Sequence, residues 1–181
     1  MEVFGDKSSL IAALENGDYS PTGPYGSILS WNVQAVDNFD SLISGLSHVA
    51  TFNGDVSMWD VSGVTSMHSV FKGAAAFNVP LNNWVVSSVK SLYLAFDGAS
   101  AFNSDLNSWD TSSVTTLAGP FRYATSFNGD ISTWDTSGVI SLLNLCQGCS
   151  SFNRDVSSWD TSSVTNFQGI FADCTVFKWL G

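Results

Sequence analysis

The 25 residues from Ser151 to Thr175, SFNRDVSSWDTSSVTNFQGIFADCT, recur along most of the chain. One step back the chain reads SFNGDISTWDTSGVISLLNLCQGCS, and a step further AFNSDLNSWDTSSVTTLAGPFRYAT. Two more copies begin at Ala76 and Thr51. Phenylalanine returns at Phe52, Phe77, Phe102, Phe127, Phe152 and Phe177, and tryptophan at Trp59, Trp84, Trp109, Trp134 and Trp159. A fixed period of about 20–50 residues marks a stack of units, none of which can bury its apolar side alone. The architecture is therefore a solenoid.

Residues 25–50 form a diverged first copy, in which Trp31, Val36, Phe39 and Ile43 keep the offsets seen from Trp59 to Phe71. Residues 1–24 lie outside the pattern. Leu10, Ile11 and Leu14 share a helical face there, with Ser8 or Ser9 as N-cap and Gly17 as terminator. This predicts a cap helix and loop over 1–24, then a repeat solenoid over 25–181, as one domain.

Within a unit, VSMWDV, LNSWDT and VSSWDT space their inward positions like the L-x-x-L-x-L strand of leucine-rich repeats. Val64, Met67, Phe71 and Ala74 then follow at helical spacing. Ser62, Ser87, Ser112, Ser137 and Ser162 precede that run as candidate N-caps, and Gly73, Gly98 and Gly148 follow it. The expected fold class is an α/β solenoid of about six coils, with one short strand and one short helix in each.

A hydrophobic content of 44% with 12% charged residues belongs to a folded chain. Six basic against 16 acidic side chains give −10, a field that repels phosphate backbones and argues against nucleic acid. No apolar run reaches the ~18–20 residues of a transmembrane helix. The first residues show no basic, apolar signal-peptide pattern.

The string F-N-x-D-[VLI]-x-x-W-D-[VT]-S-[SG]-V, together with YGSILSWNVQAV, resembles the BspA-type leucine-rich-repeat surface proteins. The resemblance covers about residues 25–177. It implies a right-handed leucine-rich-repeat-like stack, usually secreted or on the cell surface, with adhesive or protein-binding roles. It brings no catalytic residues and no cofactor.

Candidate sites follow from the columns. Asp55, Asp105, Asp130 and Asp155 form one acidic column, and Asp60, Asp110, Asp135 and Asp160 a second. They are either a ladder of oxygen ligands for calcium or turn caps and solvated strand residues. Exposed carboxylates about 5 Å apart repel by a little under ~1 kcal/mol, which needs no metal to relieve. Asn53, Asn78, Asn103, Asn128 and Asn153 predict a buried asparagine ladder. Cys146 and Cys149 spell C-x-x-C, but they occupy the Phe71 and Ala74 columns and have no nearby histidine to complete a zinc site. A bridge between Cys149 and Cys174 in adjacent coils is the other thiol reading. His48 and His68 stand apart from any nucleophile.

Two places favour a partner. In the coil FNVPLNNWVVSSV, Pro80 and Val85 replace the residues of both Asp columns and Val79 stands beside them, which predicts an apolar notch. The C-terminal end predicts an open apolar edge for a protein partner or a second copy, with Trp179 and Leu180 at the contact. The expected function is a non-enzymatic structural or protein–protein interaction module. The alternative is a calcium- or carbohydrate-binding adhesin using the acidic face.

Overall fold

The computed structural model describes residues 2–178. Its coils stack in sequence order, and the expected α/β solenoid is not what builds them. Among the described residues the only α-helix is α1, Lys7–Asn16, joined by single 3-10 turns at Ile28–Ser30 and Val49–Thr51. No strand or sheet forms among them. The β pairing consists of isolated parallel bridges, and five of them run Asn38–Ser66–Ser91–Thr116–Ser141–Asn166 from coil to coil. These bridges lie seven residues beyond the tryptophans, inside the segment expected to be helical.

Turns replace both elements. In the coil from Leu81 to Phe102, Trp84 N donates to Leu81 O, Val89 N to Val86 O, and Ala95 N to Leu92 O. Ala99 N donates to Phe96 O and Phe102 N to Ala99 O, all at 2.9–3.1 Å. The first and fourth residue of each turn are apolar and buried. Spacing by three therefore arises from successive four-residue turns, whose ends both face inward. A helix and a chain of turns share that spacing.

Left-handed positions, one in the first coil and two in each later coil, break any helix. Ser41, Ser69, Leu94, Gly119, Asn144 and Gly169 hold φ of 53–67°, and Gly73, Gly98, Tyr123, Gly148 and Asp173 hold 58–75°. A side chain other than glycine's costs about 1–2 kcal/mol there. The backbone between them alternates its donors. Leu117, Gly119, Phe121 and Tyr123 give their N–H groups to Ser141, Leu143, Leu145 and Gln147 of the next coil at 2.7–3.0 Å. Arg122 and Ala124, in between, close turns onto Gly119 and Phe121. Every second amide thus ties one coil to the next.

Side chains bind the stack further. The indole N–H of Trp59, Trp84, Trp109, Trp134 and Trp159 donates at 2.9–3.2 Å to Ile28, Val56, Leu81, Leu106 and Ile131 of the preceding coil. Each tryptophan therefore satisfies its own buried donor and a neighbour's carbonyl at once. The phenylalanines stack in register, with Phe77, Phe102, Phe127 and Phe152 successively 5.9 Å apart and within 12° of parallel. No buried side-chain nitrogen or oxygen among the described residues lacks a partner.

Helix α1 covers the first coil. Its N-cap is Asp6, rather than Ser8 or Ser9: the Asp6 carboxylate accepts from Ser9 N at 2.8 Å and from the Ser8 hydroxyl at 2.7 Å. Gly17 ends the helix at φ 72°. Leu10, Ala13 and Leu14 are buried, whereas Ile11 is only half-buried. Ahead of the helix, Phe4 N donates to Asn32 O and Asn32 N to Glu2 O, so the chain's first residues pair with the first coil. Ser47 fastens the other side, giving its N–H and hydroxyl to Glu15 at 2.8 and 2.7 Å.

Candidate interaction surface

The two ends of the stack differ. Ile131, Thr136, Val139, Leu142 and Leu145 are buried under the coil that follows them. One period on, Val156, Val164 and Ile170 are half-buried, Thr161 is exposed, and Phe167 is 47% exposed. Val156, Trp159, Thr161, Phe167 and Ile170 line a depression of about 250 Å³ floored by Leu142. Fully burying a side chain of the Val, Ile or Phe class is worth ~1.5–3 kcal/mol, so covering this face would release several kcal/mol. The last described coil thus presents the apolar columns that interior coils keep dry. Trp179 and Leu180, the residues expected at that contact, lie outside the described residues.

Both acidic columns are turn caps except at Asp105, whose carboxylate accepts the N–H of Asp130 in the next coil at 2.9 Å. Asp60, Asp110, Asp135 and Asp160 each accept the N–H of the serine two residues on at 2.9–3.1 Å, and Asp55, Asp130 and Asp155 do the same. The hydroxyls of Ser62, Ser112 and Ser137 add bonds of 2.6–2.7 Å. Those serines therefore donate to an aspartate instead of capping a helix, and the second column is more than solvated. Hydrogen bonds from the following serine hold the carboxyls of Asp60, Asp110, Asp135 and Asp160 below their ordinary value. Among the described residues no three His, Cys, Asp or Glu side chains converge as a metal site.

The asparagine column forms a ladder, but on the surface. Asn78, Asn103, Asn128, Asn153 and Lys178 each donate their backbone N–H at 2.7–3.2 Å to the Asn side-chain oxygen one coil earlier. Asn53, Asn78, Asn103 and Asn153 are exposed. Rigid spacing lets an exposed amide serve the next coil without being buried.

The thiols are structural. Cys149 Sγ–H donates to Phe121 O at 2.8 Å and Cys174 Sγ–H to Cys146 O at 2.9 Å, and all three cysteines are free. Burial raises the Cys146 thiol well above its ordinary value and that of Cys174 to about 11, so both stay protonated at neutral pH.

The expected notch is not assembled. Val79 is only 7% exposed and belongs to the core, in the column where Gly54, Ser104 and Gly129 are also buried. Pro80 is exposed and Val85 is 55% exposed, so these two stand without Val79. A column shared with glycine turns the valine inward, which alternation alone did not reveal.

His48 has partners that no local pattern announced. Its Nε2 lies 2.9 Å from the Tyr19 hydroxyl, which donates to Leu14 O at 2.7 Å, and its Nδ1 lies 3.7 Å from Glu15. Burial, aided by the Glu15 charge, pushes the Tyr19 hydroxyl up to about 12. This network pins α1 to the first coil.

Coils made of turns, tied by alternate amides and capped at one end by a helix, define a repeat protein whose surfaces are set by columns. The chain belongs to the family described as "Mycoplasma protein of unknown function, DUF285", whose model matches residues 22–116 and 91–179. No curated protein and no solved structure matches it. No helix among the described residues is long and apolar enough to cross a membrane.

Proposed function

We propose that this chain is a non-enzymatic structural or protein-interaction module whose contact surface is the apolar face of the last described coil. The supporting observation is that Phe167 and Thr161 are exposed and Val156, Val164 and Ile170 only half-buried, when their counterparts one period earlier are buried. The occupant in this reading is a second copy, meeting like face to like face. Head-to-tail stacking is blocked, because α1 and residues 2–4 cover the first coil. A two-fold contact also makes each apolar column its own complement. Adhesion at a cell surface, the setting implied by the resemblance of the repeat to BspA-type proteins, belongs to the same proposal.

Sedimentation at micromolar concentration tests it. The wild-type chain is expected to dimerise, and the double variant Phe167→Asp, Ile170→Asp to remain a monomer with a melting temperature within a few degrees of wild type. A wild-type chain that stays monomeric throughout that range overturns the reading.

A further inference from the structure

We propose a second docking surface, formed by His68, Lys72, Tyr93, Leu94, Arg122 and Tyr123 across three successive coils, that receives an acidic segment of a protein partner. It does not depend on the last-coil face.

Backbone conformation supplies the first argument. Tyr123 holds φ 58° in a column where the coils on either side place Gly98 and Gly148, and Leu94 holds φ 53° in a column otherwise filled by the small or polar Ser41, Ser69, Gly119, Asn144 and Gly169. Glycine is the unstrained choice at such positions. Yet Tyr123 is 49% exposed and Tyr93 40% exposed, so burial does not explain the rings. Strained, exposed, bulky residues concentrate where function retains them. The Tyr123 ring rests along the Gly148 backbone, where an added Cβ would lie 2.6 Å from its Cδ1.

Charge supplies the second. Arg122 Nε and Nη2 grip the buried Asp97 carboxylate at 2.9 Å each, and Lys72 Nζ reaches it from the preceding coil at 3.8 Å. The trio carries a single positive charge on a chain of −10. The Arg122 guanidinium stands 5.5 Å from the Tyr123 ring centroid. His68, whose backbone N–H donates to Asp40 at 2.9 Å, ends the row with its ring 4.9 Å from that of Tyr93, so the positive charge is concentrated at Lys72 and Arg122. Tyrosine and arginine dominate interface hot spots, and an arginine fixed beforehand loses little freedom on binding. A carboxylate is drawn to this island and repelled by the acidic columns, which fixes both site and register. Three coils at ~4.8 Å span about three residues of extended peptide.

Short random peptides displayed on phage, selected on the full chain, provide the probe. Enriched peptides are expected to carry Asp or Glu beside an apolar residue and to bind more weakly as salt rises. Tyr123→Gly and Tyr93→Ser should each weaken them about tenfold or more. Phe167→Asp should leave their binding unchanged, and Tyr123→Gly should melt no earlier than wild type. The proposal is overturned if no peptide is enriched, if the winners lack acidic residues, or if they bind Tyr123→Gly as tightly as wild type. Retention of a neutral glycan in place of peptides also overturns it, as does early melting of Tyr123→Gly, which would make the ring a structural cover for Gly148.

Discussion

Trp134 Nε1 donates to Leu106 O at 3.0 Å while its ring lies 6.3 Å from that of Trp109 and within 3° of parallel. One residue type thus fills the core and joins adjacent coils through a buried hydrogen bond. Trp109, which donates likewise to Leu81 O, separates the two roles. Trp109→Ala should cost about 3–5 kcal/mol through lost burial and the remaining cavity. Trp109→Phe keeps most of the volume but removes one of the two hydrogen bonds to the Leu81 carbonyl, which still accepts the Trp84 N–H, and should cost about 0.5–1.5 kcal/mol. Urea denaturation measures both.

Val79 and Ser104 fit side chains into the column they share with Gly54 and Gly129, but at Gly129 there is no room for one. A Cβ on Gly129 would fall on the Ser104 carbonyl oxygen and 2.8 Å from Phe127 Cε2. Neither backbone nor stacked ring can yield, so Gly129→Ala should destabilise by about 1–3 kcal/mol. A thermal melt reads this directly. Gly138→Ala, where the new carbon would lie 3.6 Å from Val114 O, is the matched control and should melt close to wild type.

Acid should loosen the turns. Asp60, Asp110, Asp135 and Asp160 have folded-state values held below the unfolded ones by serine hydrogen bonds. A depressed carboxyl stabilises the fold above its unfolded value, near 3.9, and loses that contribution as pH falls through the folded value. The melting temperature should therefore decline below about pH 4, each exposed carboxyl contributing only modestly because solvent screens it. Asp135→Asn, which keeps an acceptor oxygen, should make the decline shallower.

The cap should fail locally before it fails globally. Glu15 accepts two hydrogen bonds from Ser47, and His48 and Tyr19 complete the tie to α1. Glu15→Ala removes the shared acceptor. Amides of residues 10–16 should then exchange faster, while those of residues 117–123 keep their protection. Hydrogen exchange followed by NMR resolves the two regions.

The period, the core columns and the tryptophan stack were all readable in the sequence, because a strict repeat projects straight onto space. Secondary structure was not, apart from the cap helix α1 and its terminator Gly17. Val64, Met67, Phe71 and Ala74 fit a helix, yet Ser69 at φ 54° prevents one, and a serine there carries no sequence signal for a left-handed turn. Gly73, Gly98 and Gly148 did signal such a turn, and Tyr123 is conspicuous as the residue that departs from them. Asp60 and Ser62 are two residues apart, which a strand reading places side by side on one face and a turn reading joins by a hydrogen bond. The exposed face at Phe167 follows from the repeat only once its neighbours' burial is known. The Tyr19–His48–Glu15 network joins residues from unrelated segments and was invisible beforehand.

Hydrogen–deuterium exchange at two protein concentrations tests the contact face most directly. In dilute solution, amides that depend on the last described coil, such as Asn144, Cys146 and Gly148, should exchange faster than Gly119, Phe121 and Tyr123, which make the same bonds one coil earlier. At concentrations that favour a dimer, protection should rise for residues 144–177 and stay constant for residues 101–125. Equal protection of the two coils at both concentrations would contradict the account.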